Sequence, residues 1–212
     1  MLADGPRMSL VKISPDTHNV QLELAYATSD NFTGAPEYAR GGCYLHPEAE
    51  TMLRKAQAYA NVLGYRLKIF DAFRPTEAQW KLWKHTPDPD FLADPRQGSP
   101  HSRGVAVDLS LTDFNGTELE MGTDFDAFTP LSHHGAMDIS ATAQRNRHLL
   151  MGLMTTAGWD FYQNEWWHYQ LFNARDNYGL LSNKDLKKPM MCEEDILCAE
   201  KLRDNHSASD FR

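Results

Sequence analysis

Ser99-Pro100-His101-Ser102-Arg103-Gly104-Val105-Ala106-Val107-Asp108-Leu109-Ser110-Leu111 is the stretch on which the fold turns. Val105 to Leu111 is rich in β-branched and aliphatic residues and reads as a strand. Gly104 removes the side chain where the backbone would need to bend into it. A histidine just before a strand and a carboxylate within it can converge on one metal ion if the chain turns there. Taken alone, the spacing is weak, because Asp108 can equally be a turn or helix-cap residue.

Working outward, the reading favours an α+β domain. Prolines 87, 89, 95 and 100 mark a long irregular stretch before the strand, and such stretches in compact domains are often functional. Thr76 to about His85 reads as a short tryptophan-rich helix and Arg66 to Ala72 as a strand. Pro47 opens a helix whose Ala49, Met52, Leu53, Ala56, Tyr59, Ala60 and Leu63 recur at helical spacing, with Gly64 as its C-terminal cap. Val20 to Thr28 alternates apolar and polar residues at first and is expected to be a half-buried strand. On the other side, Ser140 caps a helix running to Ala157, with Gly158 just past its end. Trp159 to Phe172 is expected to hold two short strands broken near Gln163-Asn164. Strands and helices interleave without regular βαβ spacing, so the expectation is a mostly antiparallel sheet with flanking helices. Residues 1–181 would form this domain, and 182–212 a charged tail that is either a short helix from Glu193 to Leu202 or frayed.

Composition narrows the function. The 212 residues carry a formal charge of −8, which argues against a general nucleic-acid binder. Hydrophobic residues at 42% and charged residues at 24% are ordinary for a soluble globular protein. No apolar run is long enough to span a membrane, and the N-terminus does not read as a signal peptide. Met8 is an alternative start. Cys43, Cys192 and Cys198 form no C-x-x-C pair and leave one thiol unpaired under any disulfide scheme, which suits a reducing compartment. A cytoplasmic location is expected, and oligomeric state is left open.

Glu165-Trp166-Trp167-His168 supplies a third candidate ligand, His168, and a carboxylate beside it. Two histidines and one carboxylate leave a fourth position on zinc for water, the catalytic rather than the structural pattern. An adjacent carboxylate can then take the water's proton. Residues three apart on an ideal strand point to opposite faces, so this segment must twist, bulge or begin as loop. Trp166 and Trp167 read as core and pocket wall. His133 and His134 offer alternative ligands but have no carboxylate at useful spacing. Arg74, in Asp71-Ala72-Phe73-Arg74-Pro75, reads either as a structural salt bridge or as a fork of donors for an oxyanion.

Together these pieces resemble the D-alanyl-D-alanine dipeptidases, the vancomycin-resistance type of zinc peptidase, in a Hedgehog/D,D-peptidase-like fold. The resemblance spans about Val20 to Leu171. It rests on Tyr26 to Gly34, Asp71 to Pro75, His101 to Gly104 with Asp108-Leu109, Met121-Gly122 with Phe125-Asp126, Ser132 to His134, Ala143 to Arg147, and Glu165 to Tyr169. It implies one zinc ion per chain on His101, Asp108 and His168, with Glu165 activating water and Arg74 stabilising the tetrahedral intermediate. It also implies that Asp126 holds the substrate ammonium and that Tyr26 and Tyr38 line the cavity. The family often places a hydroxyl immediately before the first zinc histidine, where this chain has Pro100; Ser99 or Ser102 would have to compensate in meeting the substrate carboxylate. Two other readings remain: a related zinc D,D-carboxypeptidase or peptidoglycan endopeptidase with a more open cleft, and a zinc-stabilised binding module without catalysis. Glu165 and Arg74 speak against the last, since a binding module needs neither.

Overall fold

In the computed structural model, which describes residues 10–209, the strands are β1 (Val11–Ile13), β2 (Gln21–Leu22), β3 (Cys43–Leu45), β4 (Tyr65–Asp71), β5 (Ala106–Asp113), β6 (Asp160–Phe161) and β7 (His168–Gln170). The helices are α1 (Pro15–His18), α2 (Pro47–Val62), α3 (Thr76–His85), α4 (Ala141–Ala157), α5 (Ala174–Asn177) and α6 (Glu193–Ser209). The alternative start at Met8 lies outside the described residues. The chain is a single mixed α+β unit. Five strands run in the order β2-β4-β5-β7-β6, and β1 and β3 form a separate antiparallel pair. The β2–β4 pairing is parallel; β4–β5, β5–β7 and β7–β6 are antiparallel.

Strand alternation sorts the sheet into a structural face and a chemical one. Leu67 and Ile69 of β4 and Val107, Leu109 and Leu111 of β5 are fully buried among Ala49, Leu53, Ala56 and Ala60 of α2 and Leu150 and Met154 of α4. The opposite face of β5 carries Asp108, Ser110 and Thr112. Both covering helices are capped as their sequences dictate. Pro47 sits at the start of α2, and the Ser140 hydroxyl accepts from the Ala143 amide at 2.9 Å to begin α4. Gly158, at φ 108°, ends α4 in the left-handed conformation that glycine tolerates.

Two stretches depart from the sequence reading. Val20 to Thr28 is not one strand, because only Gln21 and Leu22 pair with β4 and Ala25–Ala27 then curls into a 3-10 turn. Polar side chains capture the carbonyls a ladder would use. The Thr28 hydroxyl donates to Ala25 O at 3.0 Å, and the Asn31 amide donates to Ala25 O at 3.2 Å and Thr28 O at 2.8 Å. After Leu181 the helix expected from Glu193 is present and runs on to Ser209, and the segment before it does not run off into solvent. Leu186, Met190 and Met191 are buried with Tyr26, Tyr38, Phe73 and Leu82 in a second hydrophobic cluster, and α6 packs against α3. Lys81 of α3 ties the two helices together, 3.0 Å from Asp195. Among the described residues, no helix is long and apolar enough to cross a membrane.

Candidate active site

The three candidate ligands reach one point by two local devices. The first is pairing register. Asp108 on β5 stands directly opposite His168 on β7, so both side chains leave the same face of the sheet. The second is the turn at His101–Arg103, closed by Gly104 at φ 70°. A Cβ at 104 would also meet Leu10 Cδ2 at 2.7 Å and the His46 backbone N at 3.2 Å, so the conformation calls for glycine and the space around it is tight. His101 Nδ1 lies 2.7 Å from Ala72 O, which makes Nδ1 the protonated nitrogen and turns Nε2 inward.

The inward atoms form a triangle. His101 Nε2 is 3.2 Å from His168 Nδ1 and 3.3 Å from Asp108 Oδ2, and His168 Nδ1 is 3.0 Å from Asp108 Oδ1. Zinc donors at about 2.0–2.1 Å in tetrahedral array are separated by roughly 3.3–3.4 Å; here the two histidines meet different Asp108 oxygens, and one donor atom from each residue lies within 4.8 Å of the other two. All three residues are buried. Burial disfavours the Asp108 carboxylate, yet the neighbouring imidazoles override it and hold its pKa well below the usual carboxylate range. Among the described residues this is the group of histidine, cysteine and carboxylate side chains that could hold a metal ion. His134 stands apart from it: burial and the Arg147 charge lower its pKa to about 4, and its ring packs on Phe161.

Glu165 joins the triangle because its segment is a turn, not a strand. The His168 amide donates to Glu165 O at 3.3 Å, closing a turn just before β7 and swinging both side chains to one side. Glu165 Oε2 then lies 3.9 Å from His168 Nδ1. Burial and the Asp108 charge raise the Glu165 pKa, partly offset by Arg74. Trp166 and Trp167 between them are buried, and the Trp166 indole N–H donates to Thr123 Oγ1 at 2.8 Å.

Arg74 sits where β4 gives way to α3. A bulge between Ile69 and Asp71 brings Asp71 opposite Asp108. Arg74 Nε donates to Asp71 Oδ2 at 2.9 Å and Nη1 to Gln79 Oε1 at 3.0 Å. Its Nη2 is 3.7 Å from Asp108 Oδ2, and the guanidinium lies over the Tyr26 ring, 4.8 Å from the centroid.

A cavity of about 220 Å³ opens onto these groups. Arg74, His101, Asp108, Glu165 and His168 line it, as do Tyr26, Ser99, Pro100 and Asp126. The Tyr26 hydroxyl donates to Asp126 Oδ2 at 2.9 Å. Burial, with the Asp108 charge, raises the Asp126 pKa, partly offset by the Tyr26 hydrogen bond and by Arg74, and among the described residues no cation pairs with it directly. Two of the expected substrate contacts lie one layer back. Tyr38 does not line the cavity; its hydroxyl donates to Asp71 Oδ1 at 3.1 Å and so braces the carboxylate that holds Arg74. Ser102 also points away, fully buried, while its carbonyl accepts from Leu181 N at 2.8 Å. Asp71, Gln79, Gln170, Tyr162 and the wall around Phe91 and Leu92 were not singled out from sequence. The prolines around that wall were its one visible signal.

A cluster of metal donors with a buried carboxylate beside it, in a small cavity, is the layout of a metal-dependent hydrolase. The comparisons carry this further. The D-ala-D-ala dipeptidase family, Peptidase_M15, matches residues 7–185. A D-alanyl-D-alanine dipeptidase of Escherichia coli (strain K12) is 42% identical over 177 residues, 84% of this chain and 90% of that protein. The dipeptidase of that name from Enterococcus faecium is 38% identical, over 73% of this chain and 87% of its own. The chain is also similar to a crystal structure of a mutant of the vancomycin resistance D,D-pentapeptidase VanY with Zn(II), at 16% identity, a TM-score of 0.39, and coverage of 76% of this chain and 83% of that one. The chain belongs to the D-alanyl-D-alanine dipeptidase family of metallopeptidases.

Proposed function

We propose that this protein hydrolyses D-alanyl-D-alanine to two molecules of D-alanine, with one zinc ion per chain held by His101, Asp108 and His168. The observation that carries the reading is the donor cluster with Glu165 on its flank and a carboxylate, Asp126, held by Tyr26 in the wall of the same small cavity. Zinc bound there supplies Lewis acidity, which acidifies water and polarises a scissile carbonyl. Glu165, in the cavity wall with Oε2 3.9 Å from His168 Nδ1, takes a proton from the attacking water. As the C–N bond breaks, Glu165 passes that proton to the departing amine nitrogen. The Arg74 guanidinium, fixed by Asp71 and Gln79, faces the developing oxyanion. Asp126 and Tyr26 receive the substrate ammonium, and Ser99 belongs to the wall that meets the carboxylate.

The cavity, at about 220 Å³, is below the roughly 300–1,000 Å³ usual for drug-sized ligands, which favours a dipeptide over a cell-wall strand. That size and the Asp126 carboxylate argue against the carboxypeptidase or endopeptidase reading. We take residues 1–181 as the catalytic unit and 182–212 as a segment appended to it. Three free cysteines are in keeping with a reducing, cytoplasmic setting. Zinc-loaded protein incubated with D-Ala-D-Ala, L-Ala-L-Ala and N-acetyl-D-Ala-D-Ala tests the assignment. Cleavage of the first alone is expected; efficient cleavage of the acetylated compound would transfer the protein to the carboxypeptidases.

A further inference from the structure

Resting on the dipeptidase reading, we propose that Gln170 binds the substrate's C-terminal carboxylate with its amide NH₂ while its carbonyl oxygen fixes the His168 ring. His168 and Gln170 are two residues apart on β7 and so share a face, and both line the cavity. His168 turns Nδ1 toward Asp108 and His101, so a metal-binding His168 carries its proton on Nε2. That nitrogen is 3.1 Å from Gln170 Oε1. With the oxygen committed, the two N–H donors of the amide point the other way. Among the described residues, no side chain or carbonyl is found accepting from them.

Elimination within the cavity leads to the same residue. A substrate carboxylate needs donors, yet Asp108, Asp126 and Glu165 are acceptors. The Tyr26 hydroxyl is committed to Asp126 and the Tyr162 hydroxyl to Asp90 O at 3.1 Å. Arg74, held by Asp71 and Gln79, is assigned to the oxyanion, and the Trp167 indole N–H bonds Glu165. Of the side-chain donors in the wall, what remains is the Ser99 hydroxyl proton, since its oxygen accepts from His101 N at 3.2 Å, and the Gln170 amide. The backbone brings these two together. Val105 N donates to Pro100 O at 3.2 Å, Leu171 N donates to Val105 O at 2.9 Å, and Ala106 pairs with Gln170. The 99–100 turn therefore lies at the Gln170 end of the strand pair, which sets the Ser99 hydroxyl and the Gln170 amide on one side of the cavity.

The experiment compares D-Ala-D-Ala with its C-terminal amide, D-alanyl-D-alaninamide, in wild type and two variants, alongside zinc affinity measured by competition with a chromogenic chelator. Gln170→Glu keeps an acceptor for His168 Nε2 but replaces the donors with negative charge. It should hold zinc as wild type does and raise KM for the acid, shifting the acid-to-amide ratio of kcat/KM toward the amide by roughly 10- to 100-fold. Gln170→Met removes both contacts and should also weaken zinc binding about 10- to 100-fold, the usual reach of a partner behind a metal ligand. An unchanged acid-to-amide ratio in Gln170→Glu would overturn the carboxylate assignment. Unchanged zinc affinity in Gln170→Met would overturn the role in fixing His168. Wild-type protein that binds zinc but cleaves neither compound would instead overturn the dipeptidase reading, and the carboxylate assignment with it.

Discussion

The two sides of the cavity are built by different means. On the zinc side, His101, Asp108 and His168 are fixed by backbone. Asp108 and His168 face each other across a ladder, and His101 hangs from a turn in which the His101, Ser102 and Gly104 carbonyls accept backbone hydrogen bonds. On the side proposed to hold the substrate ammonium, Asp126 is carried by a loop at φ 58°, and its carboxylate is aimed by one hydrogen bond from Tyr26, itself in a 3-10 turn. Donor atoms must be held to fractions of an ångström, so paired strands carry them; recognition of a flexible dipeptide tolerates a loop. Loss on the zinc side should therefore abolish chemistry, and loss on the ammonium side should alter choice.

The largest expected effect is at His168. His168→Ala should release the metal, taking zinc from about one per chain to none by elemental analysis, with activity at background. Full zinc occupancy in that variant would break the comparison at its root. Next comes Glu165→Ala, which should keep zinc yet lower kcat by on the order of 10²–10⁴. Arg74→Ala should lower kcat by roughly 10² or more, and Arg74→Lys should rescue only in part, because an ammonium cannot reproduce the fork. If Arg74→Ala moved only the melting temperature, its pair with Asp71 would be purely structural.

Smaller effects should follow at the loops. Asp126→Asn should raise KM for the free dipeptide by roughly 10- to 100-fold, the worth of a charge-assisted contact, and leave kcat nearly as it was. It should also narrow the gap between free and N-acetylated substrate, read from the two kcat/KM values. A fall in kcat alone would mean that Asp126 acts on the zinc side instead. Pro100→Ser should be the mildest, moving KM by no more than about threefold, because the carboxylate already has donors in Ser99 and Gln170. A larger fall in KM would identify the missing hydroxyl as the contact this chain lacks.

Local signals in the chain were the legible ones. Thr76 to His85 is a helix with the expected ends, and Ser140 caps its helix through the hydroxyl that suggested it. The break near Gln163-Asn164 does separate two short strands. What escaped was set by partners distant in sequence. The bulge that carries Asp71 level with Asp108 depends on pairing with β5, which no pattern within β4 announces. Leu186, Met190 and Met191 read as scattered apolar residues in a charged tail; they are buried because Asn183 Oδ1 accepts from the Met190 and Met191 amides and folds that segment onto Tyr38. Tyr38 and Ser102 were expected to face the cavity. A tyrosine whose hydroxyl finds Asp71, and a serine on the far side of a tight turn, face elsewhere for reasons spacing cannot carry.

Asp126 also bears on how this enzyme could evolve. Its left-handed backbone suits glycine, asparagine and aspartate and strains most other side chains. Asparagine and glycine each lie one base change from an aspartate codon. The substitutions that the loop accepts without distortion are thus the ones that remove the carboxylate while leaving the zinc donors untouched. A lineage selected on N-blocked peptides could relax its selectivity through this codon in one step, with no compensating change in the fold.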